Sequence, residues 1–322
     1  MKLQHPLRRL RRIVRKARAI VAGAAAVALL CTAAACSYGA YYLRFDEESP
    51  ESRAKSSTYL SGSDVPTLAA LTGTRYSFVV ITDPHFGASR KRNDDSFLSW
   101  FSAQLAQEDE ALKPRFVVNL GDTLDSGRSS QADDYNEFCD KLRALATDTL
   151  KVSDFKIYTV MGNHDTYNNG WDVWKKNIYP HTSYYRLSLT TPANAALATS
   201  GFSYYFLDSG NGTLGEAQLN DVIACLSADL RPKLVFLHYP VYSNDVLFYT
   251  LQNTMERNLL IDAFAKNRVT YVFAGHDHAE HRFTFKDKFS EHVIASFLYD
   301  NVCSLVTVDE ATQKVTSTSI SF

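Results

Sequence analysis

Only five cysteines occur in the 322 residues, Cys31, Cys36, Cys139, Cys225 and Cys303, and no two form a C-x-x-C pair. Their scarcity excludes a zinc knuckle and a dense disulfide framework. Cys139 and Cys225 fall in helix-like patterns, where a thiol serves as a small buried apolar group. Internal repeats are absent. Basic residues are scarce once the first turn of chain is past. Eight of the 34 Lys and Arg lie in residues 1–18, which hold no acid, leaving 26 basic against 35 acidic residues and a net charge of −9. A domain of that charge has no global attraction for nucleic acid, because phosphate contacts need clustered Lys and Arg. Nucleic acid is therefore not expected as the main partner.

Charge is missing altogether from residues 19–43, an Ala-rich apolar stretch that Arg44 closes. Roughly 20 apolar residues suffice to cross a bilayer. Behind a basic leader at residues 1–18, this stretch reads as a signal peptide or membrane anchor, with the leader cytoplasmic and everything after Arg44 outside. The run Ala33-Ala-Ala-Cys36 resembles a bacterial lipoprotein cleavage site with Cys36 as the lipidated residue, although Ala33 stands where Leu is usual. Anchored, lipidated and secreted forms all stay open, with some form of anchoring expected and the folded domain periplasmic or extracellular. Residues 44–72 are polar and Ser-rich and read as a linker, with 65–71 as a possible first ordered strand. The remaining domain is expected at 73–322.

Within it, short apolar runs alternate with amphipathic ones. Residues 76–82, 116–120, 157–161, 233–237 and 269–274 read as strands buried on both faces. Residues 97–112, 133–147, 215–230 and 255–266 carry helical spacing. From Arg282 onward the pattern becomes short alternating strands, at 283–285, 292–297, 302–308 and 315–320. Strands alternating with helices and ending in a β-rich tail predict an α/β sandwich with a mixed sheet.

Each strong strand runs into a polar cluster. Residues 76–82 end in Asp83-Pro-His85, and 116–120 in Gly121-Asp122. Residues 157–161 end in Gly162-Asn163-His164-Asp165, 233–237 in His238, and 269–274 in Gly275-His276-Asp277-His278. In open α/β sheets the site lies outside the carboxyl ends of the strands, so these segments are expected to converge on one edge of one sheet. Imidazole nitrogen and carboxylate oxygen suit borderline divalent metals. Asp83 and His85, two apart on an extended stretch, are expected to leave the same face, as are His276 and His278. Asp122 has two oxygens with which to bridge two ions, and Asn163 adds a neutral amide oxygen. Taken singly, a Gly-Asp is usually a turn and a lone His a structural one. Five such clusters, each at a strand end, argue for a shared purpose. His5, His181, His281 and His292 fit no such pattern, and His181 is the one with a possible place in the cleft.

The order D-x-H, G-D, G-N-H-D, H, G-H-x-H resembles that of the calcineurin-like metallophosphoesterases, over nearly all of the chain from Arg75 onward. The resemblance implies a four-layer α/β/β/α sandwich with two mixed β-sheets. It implies one metal held by Asp83, His85 and His278, another by Asn163, His238 and His276, and Asp122 bridging both. It further implies His164 as general acid supported by Asp165, two divalent or trivalent ions of manganese, iron or zinc, and metal-activated hydroxide attacking a small-molecule phosphomono- or diester. The purple acid phosphatases of the same superfamily need a tyrosine three residues after the bridging Asp, where this chain has Asp125, and lack a His at the His85 position. The arrangement is similar to that of the bacterial cyclic-nucleotide phosphodiesterase branch, which neighbouring branches share. A metallo-β-lactamase-like hydrolase also clusters His and Asp, but keeps its H-x-H-x-D-H block early, whereas His276-Asp-His278 comes late. A catalytically silent binding module of the same fold, at the membrane, is the second reading. Aromatic residues beside the motifs, Tyr167, Trp171, Trp174, Tyr239 and Tyr242, fit either a substrate rim or the core. Nothing between the motifs names a substrate or an oligomeric state.

Overall fold

Every central strand has two apolar faces, and the fold uses both of them. A computed structural model describes residues 49–62, 65–195, 199–243 and 249–322. The basic leader, the apolar stretch at 19–43 and Cys36 lie outside the described residues. No helix among the described residues is long and apolar enough to cross a membrane.

Twelve strands are present among the described residues: β1 (Thr58–Leu60), β2 (Arg75–Ile81), β3 (Pro114–Asn119), β4 (Ile157–Thr159), β5 (Tyr185–Leu189), β6 (Phe202–Phe206), β7 (Lys233–Phe236), β8 (Val269–Ala274), β9 (His281–Phe285), β10 (Phe289–Val293), β11 (Val302–Asp309) and β12 (Lys314–Ser321). They form two mixed sheets. The first has order β12-β11-β2-β3-β4, and the second β1-β5-β6-β7-β8-β10-β9. Alternation along β2 shows how the layers arise. Tyr76, Phe78 and Val80 point into the space between the sheets, while Val79 and Ile81 point the other way, toward helices. On β7, Leu234 and Phe236 face the first sheet and Val235 faces helices on the opposite side.

The inter-sheet layer is largely aromatic. Phe78 stacks on Phe116 with centroids 4.7 Å apart, and Phe236 stacks on Phe206 at 4.8 Å and on Phe273 at 5.4 Å. Rings of this size bury 150–250 Å² each, so a few of them hold two sheets together. The buried Tyr76 and Tyr204 hydroxyls satisfy each other across the gap at 2.6 Å. On the outer face of the first sheet lie α3 (Asp94–Leu105), α4 (Ser129–Leu150) and α5 (Gly170–Asn177), which bury Phe97, Phe101, Tyr135, Phe138, Leu142 and Trp174. Outside the second sheet lie α6 (Glu216–Ala228) and α7 (Thr254–Lys266), with Leu219, Val222, Leu260 and Phe264 inward. Helix α7 starts where it does because the Asn253 side chain accepts from the Met255 and Glu256 N–H groups. The result is a four-layer α/β/β/α sandwich, as expected.

Two features differ from the sequence reading. Much of the stretch expected to be a linker packs onto the domain. Helix α1 (Pro50–Arg53) carries Arg53, whose guanidinium makes a buried bidentate pair with Asp208 at 2.7 and 2.8 Å. Strand β1 pairs in parallel with β5, and α2 (Pro66–Ala69), rather than a strand, occupies the apolar stretch at 65–71. The physical reason is long-range: Arg53 is polar in sequence but finds its carboxylate 155 positions away. The antiparallel pair β5–β6 was also not expected, although Phe202–Phe206 is an aromatic run buried at every position.

Candidate metal centre

The polar clusters do converge, but at the carboxyl ends of strands from both sheets, not on one edge of one sheet. Strands β2, β3 and β4 of the first sheet and β7 and β8 of the second lead into them. A site between two sheet ends receives side chains from two directions.

The backbone there is not extended either. Asp83, His85, Asp122, His276 and His278 have φ of 52°, 44°, 47°, 68° and 55°. Left-handed backbone is costly for non-glycine residues and persists only where its surroundings hold it, typically at functional sites. The expectation that His276 and His278 leave one face is therefore corrected. His278 joins Asp83 and His85, whereas His276 joins Asp122 and His238, with ligand-type atoms in each group within 4.8 Å of one another. Glycine is required where the loops touch. A Cβ on Gly162 would lie 2.3 Å from the Asp122 Oδ1, and one on Gly275 would lie 1.9 Å from the Thr82 Oγ1.

Asp122 lies between the two groups. Its Oδ1 is 3.4 Å from His238 Nε2, and its Oδ2 is 3.9 Å from His85 Nε2. His238 donates Nδ1–H to the Leu120 carbonyl at 3.0 Å, so Nε2 faces the site, where it also lies 3.2 Å from Asn163 Oδ1. Asp83 takes Thr82 Oγ1 and the His276 N–H on Oδ2 and presents Oδ1 to His278 Nε2 at 3.2 Å. His85 stands apart: it is 2% exposed, and neither ring nitrogen has a hydrogen-bond partner. A buried imidazole without partners is costly unless something else binds it. The donors around it are carboxylate and imidazole, so a cation fits.

Electrostatics says the same. Burial pushes the Asp122 carboxyl up, but His238, His164 and His85 outweigh it and hold the group far below the usual carboxylate range. Asp83 is likewise lowered, with burial overcome by His278 and His238. Burial disfavours charge on His238, yet Asp122 raises it to about 9. His85 is lowered by burial, which its neighbouring acids only partly offset. Two fully buried carboxylates thus draw positive charge from protonated histidines, a role that metal cations take over with release of protons.

His164 donates Nδ1–H to the Asp125 carbonyl at 2.7 Å, which leaves Nε2 facing Asp122 Oδ2 at 4.0 Å. Asp165, expected to back that ring, instead accepts from the Thr123, Leu124 and Gly162 N–H groups at 3.2, 2.7 and 2.9 Å. The side chain ties two loops together, and Asp125 supplies the orienting carbonyl. Burial, then the charge of Asp122, push the Asp165 carboxyl up to about 7. Asp165→Ala orphans three buried N–H groups, and at about 1–3 kcal/mol each it is expected to cost at least about 3 kcal/mol in urea unfolding. A variant as stable as the parent would show that the carboxylate holds nothing.

Of the remaining aromatics, Trp174 is core, Tyr239 is 6% exposed with its ring 3.7 Å from that of His276, and Tyr167 is exposed beside His164 at 4.8 Å. His181, expected as a possible cleft residue, is exposed and bonds the Lys175 carbonyl. Tyr249 and Tyr299, exposed beside His276 and His278, were not singled out from sequence because no motif adjoins them.

The family profile of calcineurin-like phosphoesterases matches residues 76–280. Among solved structures, a dimetal phosphatase from Danio rerio is similar with a TM-score of 0.51 and 15% identity, over 77% of this chain and 99% of that one. A 5'-nucleotidase from Candida albicans gives 0.47 and 14%, over 78% and 53%. A 5'-nucleotidase precursor from Thermus thermophilus gives 0.44 and 10%, over 77% and 54%. The chain spans about half the length of these two nucleotidases. At 15% identity, the likeness to the Danio rerio phosphatase speaks to fold alone. No curated protein sequence matches the chain. With the family profile spanning all five strand-end clusters, the chain belongs to the calcineurin-like phosphoesterases and is a metal-dependent phosphoric ester hydrolase.

Proposed function

We propose that the protein is a dinuclear phosphoesterase that hydrolyses small-molecule phosphomono- or diesters outside the cytoplasm. Asp83, His85 and His278 hold one ion and Asn163, His238 and His276 the other, with Asp122 between them. The observation that carries this is the division of Asp122: one oxygen turns to His238 and the other to His85, whose buried ring nitrogens have no hydrogen-bond partner. When bound, a pair of manganese, iron or zinc ions supplies Lewis acidity and an acidified water for in-line attack on phosphorus. The protein supplies the rest. His238 and His278 give up their protons to become ligands, and the Leu120 carbonyl sets the orientation of the His238 ring. His164, fixed by the Asp125 carbonyl, holds a proton at Nε2 for the departing alkoxide. The uncharged stretch behind eight basic residues supports an N-terminal membrane segment and an outward-facing domain.

Metal analysis of the purified chain tests the reading. About two ions per chain are expected, together with loss of nitrophenyl phosphate hydrolysis in chelator and recovery with Mn²⁺. A single ion, or activity that survives chelation, rules out the dinuclear assignment. A loaded protein inert toward mono- and diesters is the silent binding module instead.

A further inference from the structure

Among the described residues, five aromatic side chains are exposed: Tyr59, Tyr167, Tyr249, Phe283 and Tyr299. Three of these five rest against histidines of the metal centre. Tyr167 lies 4.8 Å from His164, Tyr299 5.0 Å from His278 and 6.2 Å from His85, and Tyr249 6.0 Å from His276. Random surface placement does not concentrate aromatic rings in this way, and exposed apolar area at a site marks a ligand. The exposed aliphatic side chains, Leu230, Met255 and Leu259, belong to α6's end and to α7 and are not among these ring contacts. Among the described residues, the surface beside the metal-ligand histidines therefore offers ring faces.

Two of the three tyrosines flank the adjoining rings of His85 and His164. The His85 and His164 rings touch edge to face at 4.6 Å, with Tyr167 against His164 and Tyr299 against His85. Tyr299 is also held. The Arg90 guanidinium lies 5.1 Å from its ring centroid and donates from Nη2 to its carbonyl at 3.0 Å. A ring fixed before binding costs little entropy when it stacks on a ligand.

Resting on the phosphoesterase reading above, we infer that Tyr167 and Tyr299 select phosphoesters whose leaving alcohol carries a planar π-system, an aryl group or a nucleobase. The ester is bound with phosphorus at the metals and the ring against a tyrosine face. Hydrolysis then balances: water's oxygen bonds to phosphorus, the P–O bond to the alcohol breaks, the proton held by His164 goes to that oxygen, and the proton lost by water passes to solvent, from which His164 is reprotonated.

The test compares kcat/KM of the Mn²⁺-loaded chain for benzyl phosphate, cyclohexylmethyl phosphate and a nucleoside 5'-monophosphate. Benzyl and cyclohexylmethyl groups match in size and apolarity, and only the first has a π-face. Since stacking on an aromatic side chain changes affinity about tenfold or more, the benzyl ester is expected to be preferred about tenfold. Tyr299→Leu and Tyr167→Leu should each pull that ratio toward one, whereas Tyr299→Phe keeps it. A nucleotide rate above the benzyl rate points to a nucleobase, and the reverse order points to an aryl alcohol; both support the inference. Equal rates for the benzyl and cyclohexylmethyl esters overturn it while leaving the phosphoesterase reading intact. A loaded chain that hydrolyses none of the three overturns both.

Discussion

Asp122→Ala is expected to abolish both metal occupancy and turnover. The carboxylate is 2% exposed, and its Oδ1 turns to His238 while its Oδ2 turns to His85. Among the described residues, no other carboxylate belongs to two of the groups that could hold an ion. On the proposed dinuclear reading, removing it deletes a ligand from each ion at once, and it takes away the negative charge that faces both His238 and His85. A bound cation lends several kcal/mol to a phosphoryl transition state. About 4 kcal/mol corresponds to roughly a thousandfold in rate, so a loss of at least that size is expected. Elemental analysis beside the rate measurement separates this from misfolding when combined with far-ultraviolet dichroism. Asp122→Asn refines the result. Its remaining amide oxygen still accepts the His164 N–H that Oδ1 accepts at 2.8 Å, so the loop stays in place while the bridging charge is gone. Should Asp122→Ala retain parental activity, the assignment of the whole centre is wrong.

The parts of this architecture that sequence reveals are those with a local signature. Val269–Ala274 and the starts of Ile157–Thr159 and Lys233–Phe236 coincide with the apolar runs because strands buried on both faces need uninterrupted apolar residues. The chemistry at their ends is equally legible, since Asp, His and Asn after such a run have no packing purpose. What sequence conceals depends on distance. Arg53 looks like a linker residue until Asp208 is seen beside it, and Asp165 looks like a partner of its neighbour until the N–H groups of Thr123 and Leu124 are found around it. Backbone sign is hidden too. Nothing in D-x-H announces that both residues are left-handed, because strain is imposed by the loops packed around the motif, not by the motif. Tyr249 and Tyr299 belong to the same class: their position beside the site comes from topology alone.

His164→Ala is expected to lower turnover by about 10²–10⁴-fold, the usual range for a lost general acid, while both ions stay bound. The structure allows a competing role, because His164 also sits with His85 and Asp122 in a group whose ligand-type atoms lie within 4.8 Å of one another. As an acid, its Nδ1 is committed to the Asp125 carbonyl at 2.7 Å, which leaves Nε2 to carry the transferable proton. Exposure does not separate the roles, since its side chain is 32% exposed and that of His278, a proposed ligand, 36%. The two roles predict different dependence on the leaving group. A nitrophenolate departs without protonation, so a missing acid costs little with nitrophenyl phosphate and much with an alkyl phosphate. A missing ligand weakens the metal centre itself and slows both esters alike, with fewer than two ions per chain. Loss of an ion on His164→Ala, or an equal rate loss across leaving groups, would therefore move this histidine from the proton-transfer role to the coordination sphere.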